Sequence, residues 1–145
     1  MQELPHHYRA AAVAQPEGDV NLSSDGVQDI PSAPPPEFGG PGDKWSPESL
    51  LVASVADCFI LTFRAIARAS KLDWTSLTCD VEGTLERVER VTRFTQFVVR
   101  ASLTVPEGVD EAKARRMLEK AEHNCLITNS LSAEKRLEVS VAFAS

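Results

Sequence analysis

Reactive chemistry in this sequence resides first in three cysteines, Cys58, Cys79 and Cys125. A thiol attacks as its thiolate, and two thiols that meet can pass through a sulfenic acid to a disulfide. Cys58 lies within the long apolar run from Leu50 to Phe63, and Cys125 follows the apolar positions Ala114, Met117, Leu118 and Ala121 at helical spacing, so each stands on or next to buried helical surface. A thiol in such a place is either inert packing or a protected nucleophile, and the residues alone leave both readings open. Cys79 sits among alternating apolar and polar residues and reads as the core side of a strand. The spacing contains neither a CxxC nor a metal-spaced histidine pair, so neither a disulfide framework nor a zinc site is expected, and no cofactor is called for.

Other titratable groups offer weaker candidates. Glu48 follows Ser46-Pro47 at a helix start, where an acid is favoured by the helix dipole whether or not it has a further role. His123 lies two residues before Cys125, near a helix C-terminus, where a histidine is a favourable end charge or a proton acceptor. Asp57 adjoins Cys58, but successive helical residues do not share a face, so a structural hydrogen bond is expected for it. His6 and His7 read as solvated. The glycine-rich stretch before Lys44 and Ser46 fails the phosphate-loop spacing, and Asp43 would repel a phosphate.

The elements that must position these groups are legible in the pattern. Residues 1–29 read as a short-stranded meander, with His7 to Val13 and Asp19 to Ser23 as strands and Asp25-Gly26 as a turn. Residues 30–45 gather five prolines and three glycines and read as a loop that continues neither sheet nor helix. Ser46-Pro47-Glu48 supplies an N-cap hydroxyl, a proline at the first helical position and a first-turn acid, so a helix starts there and runs over 46–70. Its apolar surface from Leu50 to Phe63 is almost continuous, which predicts a central helix enclosed by protein on every side. A long hairpin over 76–105, an amphipathic helix over 110–125 and a closing strand over 136–144 complete an α+β chain of one domain.

Composition narrows the partners. The 145 residues are 43% hydrophobic and 25% charged, with a formal net charge of −6, the balance of a globular protein whose charge opposes nucleic acid and anionic lipid. The amino terminus carries Glu3, His6, His7 and Arg9 where a secretory signal would be apolar, so the protein is expected to be cytoplasmic. The run Leu50 to Phe63 carries Asp57 and is shorter than the about 20 residues of a membrane span, so no membrane partner is expected.

Gly39-Gly40-Pro41-Gly42, then Trp45 to Leu51, then Ala53 to Cys58 resemble the signature of the OsmC/Ohr family (osmotically inducible and organic hydroperoxide resistance proteins). In that signature a glycine-rich loop leads into an N-P-E-x-L helix start, and a peroxide-reacting cysteine lies ten residues after the glutamate. Ala121 to Leu131 is similar to the family's second-cysteine segment. The resemblance implies an OsmC-like α+β fold: a long buried central helix and a second amphipathic helix packed against antiparallel sheets in an intertwined homodimer. It implies a thiol-dependent peroxidase acting on organic hydroperoxides, with Cys58 as peroxidatic cysteine, Cys125 as resolving cysteine, Glu48 as the helix-start carboxylate and an external thiol reductant. The family's N-terminal arginine, in a G-G-R segment, is not matched: Gln15-Pro16-Glu17-Gly18 stands before Ser23-Ser24-Asp25-Gly26, leaving Arg9, Arg64 or Arg68 as substitutes. The alternative is a non-catalytic OsmC-like module that binds a small hydrophobic or thiol ligand at the dimer interface.

Overall fold

The computed structural model describes residues 1–145, which divide into two compact units, 1–51 and 52–145. In the first, β1 (Ala11–Val13), β2 (Val20–Ser23) and β3 (Ile30–Ser32) form an antiparallel meander in chain order. The Asp25-Gly26 turn is present, with Gly26 at φ +80° and the Val27 amide donating to Ser24 O at 3.4 Å. The expected strand from His7 shortens to three residues. The proline-rich segment was expected to be wholly irregular, yet Ile30–Ser32 pairs with β2 and Pro36–Phe38 makes one 3-10 turn. Pro31 is tolerated because β3 is an edge strand of the meander, where a missing donor interrupts no second ladder.

α1 (Pro47–Ala69) begins where the sequence places it. The Ser49 amide donates to Ser46 Oγ at 3.1 Å, and the Ser46 amide donates back to Ser49 Oγ at 2.9 Å, a reciprocal cap. At the other end Lys71 takes φ +55° and the Leu72 amide returns to Ala67 O at 2.9 Å, turning the chain out of the helix. Within one chain the helix is covered along a single stripe. Only the stripe Val55, Phe59, Phe63 and Ala67 is buried, while Leu61 is 51% exposed. By length and composition α1 could cross a membrane, and only 22% of its most apolar window is buried within the chain.

In the second unit β4 (Ser76–Val88) and β5 (Val91–Pro106) form the expected long hairpin around Glu89-Arg90, both at positive φ as a tight two-residue turn requires. α2 (Glu111–His123) is capped by Asp110, whose Oδ1 accepts from the Ala112 amide at 3.0 Å. A four-residue helix, α3 (Leu126–Asn129), follows, and β6 (Glu134–Ala144) closes the sheet in the order β4-β5-β6. The expectation of antiparallel sheets is corrected here, because β6 runs parallel to β5 from Gln96↔Glu134 to Pro106↔Ala144. The helical connection through α2 and α3 carries the chain back to the starting end of β5, as a parallel neighbour demands. Phe97, Val99, Leu103 and Val105 of β5 and Ala114, Leu118 and Ala121 of α2 are buried, and α2 packs on β6.

Gly40 is required for room rather than for an unusual backbone angle. A Cβ there would lie 1.6 Å from Pro34 O and 2.4 Å from Pro34 C, both backbone atoms that cannot rotate away. Gly40→Ala is therefore expected to lower stability by about 1–3 kcal/mol in a urea unfolding experiment. Gly39→Ala, at φ +85° but with open space around the new carbon, should cost about 1 kcal/mol.

Candidate functional site

Cys58 is about three turns into α1, between the buried Val55 and Phe59 and itself half-buried. Its Sγ lies 3.8 Å from Thr62 Oγ1, one turn on along the same face. Cys125 is not part of α2. With Asn124 it forms the joint between α2 and α3, at φ −67° and ψ 108°, and it is 1% exposed.

The fold brings these two thiols together, both unoxidised, close enough that Cys58 perturbs the ionisation of Cys125. Burial is the main cause that pushes the Cys125 thiol above the ordinary cysteine range. Hydrogen bonding from Thr128 pulls it the other way, while hydrogen bonding and charge from Cys58 push it up again. Thr128 is buried, and its hydroxyl donates to Cys125 O at 3.2 Å, so its side chain shapes the joint. Cys79, on β4 opposite Ala101, belongs to the same neighbourhood. Burial, then Asp80 and then Cys125 push its thiol up to about 12, which leaves it protonated at neutral pH.

Glu48 is placed separately, in the first turn of α1 within the N-terminal unit. It lines a cavity of about 560 Å³ with Ala12, Val20, Leu22, Ala33 and Phe38. Its Oε1 is buried there without a hydrogen-bond partner, a costly state for a carboxylate oxygen. Arg9, Arg64 and Arg68 are all exposed. Asp57 is exposed as well, which corrects the expected structural hydrogen bond. His123 ends α2, exposed, with its carbonyl accepting from Asn129 Nδ2 at 3.1 Å, and His6 bonds locally to Tyr8 and Gln2. No group of three or more His, Cys, Asp or Glu side chains could hold a metal ion. Lys44 pairs with Asp43 at 3.5 Å and Asp19 at 3.9 Å, which gives its charge a use other than phosphate binding.

Sequence reasoning placed a polar turn where α3 stands and gave Thr128 within it no role of its own. The visible signal was a hydroxyl three residues after Cys125, the spacing of a one-turn return.

Residues 40–140 match the family model described as OsmC-like protein. The chain belongs to the OsmC-like family. An uncharacterised Bacillus subtilis protein, YmaD, is 28% identical over 141 residues, covering 94% of both chains. An organic hydroperoxide resistance protein of Xanthomonas axonopodis pv. citri is 30% identical over 110 residues, 75% of each. Among solved structures, an OsmC-like protein of unknown function from Vibrio cholerae superposes with a TM-score of 0.86 at 20% identity, covering 94% of this chain and 100% of that one. The α+β architecture is thus that of this OsmC-like family, and a role in peroxide resistance is supported at the family level.

The ionisation pattern has a direct consequence. In Cys58→Ser protein, alkylation of Cys125 by iodoacetamide should begin only at higher pH than for a free cysteine, and Thr128→Val should move that threshold further up, because a donor to the thiolate is gone. Cys79 should resist alkylation in the folded protein at neutral pH and react on unfolding, as read by peptide mass spectrometry.

Proposed function

We propose that this OsmC-like protein is a thiol-dependent peroxidase that reduces organic hydroperoxides, working as a homodimer in a cytoplasmic setting. One observation carries the reading: Cys58 on α1 is near enough to perturb the ionisation of Cys125 at the α2–α3 joint, and the Cys125 sulfur is shielded from water. The Cys58 thiolate attacks the O–O bond and takes the terminal oxygen as a sulfenic acid, while the alkoxide leaves and takes up a proton as an alcohol. The Cys125 thiol condenses with the sulfenic acid, releasing water and leaving a Cys58–Cys125 disulfide. Two electrons from an external dithiol restore both thiols. Adjacent placement of the pair protects Cys58 from further oxidation, because condensation needs no second molecule.

The substrate class is supported by the name of the Xanthomonas relative. The homodimer is supported by the exposed apolar surface of α1. A bilayer is a poor cover for it, because the same helix commits Val55, Phe59, Phe63 and Ala67 to the chain's own core and exposes Asp57, Arg64 and Arg68. A second copy also offers Glu48 the donor it lacks within one chain, and Arg64 and Arg68 are the cations available on α1. That unmet carboxylate is equally the observation that favours the alternative, a module binding a small hydrophobic or thiol ligand without turnover.

Two measurements decide. Oxidation of reduced protein with one equivalent of tert-butyl hydroperoxide should give the Cys58–Cys125 disulfide by non-reducing peptide mapping, and Cys58→Ser should lower hydroperoxide turnover by about 10³-fold or more. Turnover that survives in Cys58→Ser would exclude Cys58 as the nucleophile, and a wild type that turns over no hydroperoxide would leave the binding module. Light scattering should give twice the 15.8 kDa chain mass, reduced to one chain in Leu61→Asp; a monomeric wild type would remove the dimer.

A further inference from the structure

Cys125 sits in a bend between two helices, and such a joint needs something to hold its angle. α3, at four residues, is too short to hold its own position. Thr128 bonds the bend from within, and further contacts come from outside it, from Lys135 near the start of β6. Its ammonium donates to Asn129 Oδ1 at 2.8 Å and to Glu122 O at 3.4 Å, and pairs with Glu122 Oε1 at 3.8 Å. Asn129, the last residue of α3, in turn donates from Nδ2 to the carbonyl of His123, the last residue of α2. One cation therefore links both helices that flank Cys125 to the strand hydrogen-bonded to β5.

The clamp is also hard to do without. Glu122 Oε1 is buried and has no hydrogen-bond donor, so Lys135 at 3.8 Å is the positive charge that compensates it. Without that charge, the carboxylate gains by turning out toward water, and the carbonyl and amide oxygens released with it gain by hydration, which opens the joint. The first residue displaced by such opening is the one at the bend, Cys125. Cys58, on the regular helix α1, does not move with it.

We propose that Lys135 is a positioning residue for Cys125, holding the α2–α3 joint so that the Cys125 sulfur meets Cys58. Within the peroxidase reading, on which its catalytic meaning rests, Lys135 governs condensation of the sulfenic acid with Cys125 and not the earlier attack of Cys58 on the peroxide. The role is geometric. Lys135 is not among the groups that shift the Cys125 thiol, whose ionisation is set by burial, Thr128 and Cys58.

The test uses full-length protein and two independent readouts. In the first, reduced and oxidised dithiothreitol are mixed at set ratios, and the fraction of Cys58–Cys125 disulfide is measured by mass spectrometry after alkylation, which reports how well the two sulfurs meet without any peroxide. Lys135→Met should lower the effective concentration of the pair by about tenfold or more, and Lys135→Arg, which keeps the charge, should recover most of it. Asn129→Ala should shift it in the same direction as Lys135→Met and stands in if that variant folds poorly. Arg115→Met, which breaks the ion pair with Glu111 at the other end of α2, should leave it unchanged. A Lys135→Met value equal to wild type, or an equal loss in Arg115→Met, overturns the proposal.

In the second readout, tert-butyl hydroperoxide is added and the sulfenic acid is trapped with dimedone. Lys135→Met should consume the first equivalent of peroxide at the wild-type rate while the trapped and overoxidised fractions rise. If the wild type consumes no peroxide but the dithiothreitol titration still responds to Lys135, the positioning role stands and the peroxidase reading falls. If peroxide is consumed and neither the titration nor the trapped fraction changes, the positioning role falls alone.

Discussion

The meeting of the Cys58 and Cys125 sulfurs imposes two opposite demands on the fold. One sulfur belongs to a regular helix and cannot be re-aimed without moving that helix; the other belongs to a bend and can be. Bringing them together therefore means fixing α1 by burial and fixing the bend by discrete polar contacts. The first demand is met by Val55, Phe59, Phe63 and Ala67, all at most 1% exposed, with the Phe63 ring edge-on to Trp74 at 5.4 Å. Truncating a buried phenylalanine of this kind typically costs about 3–5 kcal/mol, so the stripe is a firm anchor. The second demand is met by Thr128 from within the bend and by Lys135 from the sheet.

α1 makes visible the tension between a chain and its assembly. Hydropathy alone gives a helix with no wet face, and such a pattern has three solutions: a core, a bilayer or a partner chain. Within one chain only a stripe is covered, so the remaining apolar surface is a debt left to whatever lies outside. The charged groups on the uncovered side, Asp57, Arg64 and Arg68, suit a protein neighbour that can pair them and suit lipid badly.

Much of this was legible in the residues, and the failures have physical reasons. The Ser46-Pro47 start of α1 and the Asp25-Gly26 turn rest on local rules, cap chemistry and turn stereochemistry, which act over a few residues and so appear in the sequence. The pairing direction of β6 does not, because alternation of Leu137, Val139 and Val141 reports which face is buried and is blind to strand polarity. Ile30–Ser32 escaped because proline frequency was weighed without knowing that the strand lies at an edge. At the site, both cysteines and Glu48 stood out by type, but the sequence says nothing about which of them meet. Lys135, a lysine at the head of a strand, carries no mark that separates it from any solvated charge until Glu122 and Asn129 are seen around it.

Burial of Cys125 raises an apparent contradiction, since the feature that shields the sulfur also keeps it protonated and a thiol is a poor nucleophile. Each unit by which a thiol pKa rises above the working pH costs a factor of about ten in thiolate. Against that stands the advantage of attack within one molecule, with effective concentrations that reach about 10⁵ M or more when the geometry is held. Within the proposed cycle a well-placed, mostly protonated thiol therefore outruns any free thiol at cellular concentration, and hydrogen bonding from Thr128 recovers part of the loss. The balance holds only while the placement holds. A bend that drifts loses the intramolecular advantage and keeps the penalty of burial, so for this sulfur position matters more than acidity.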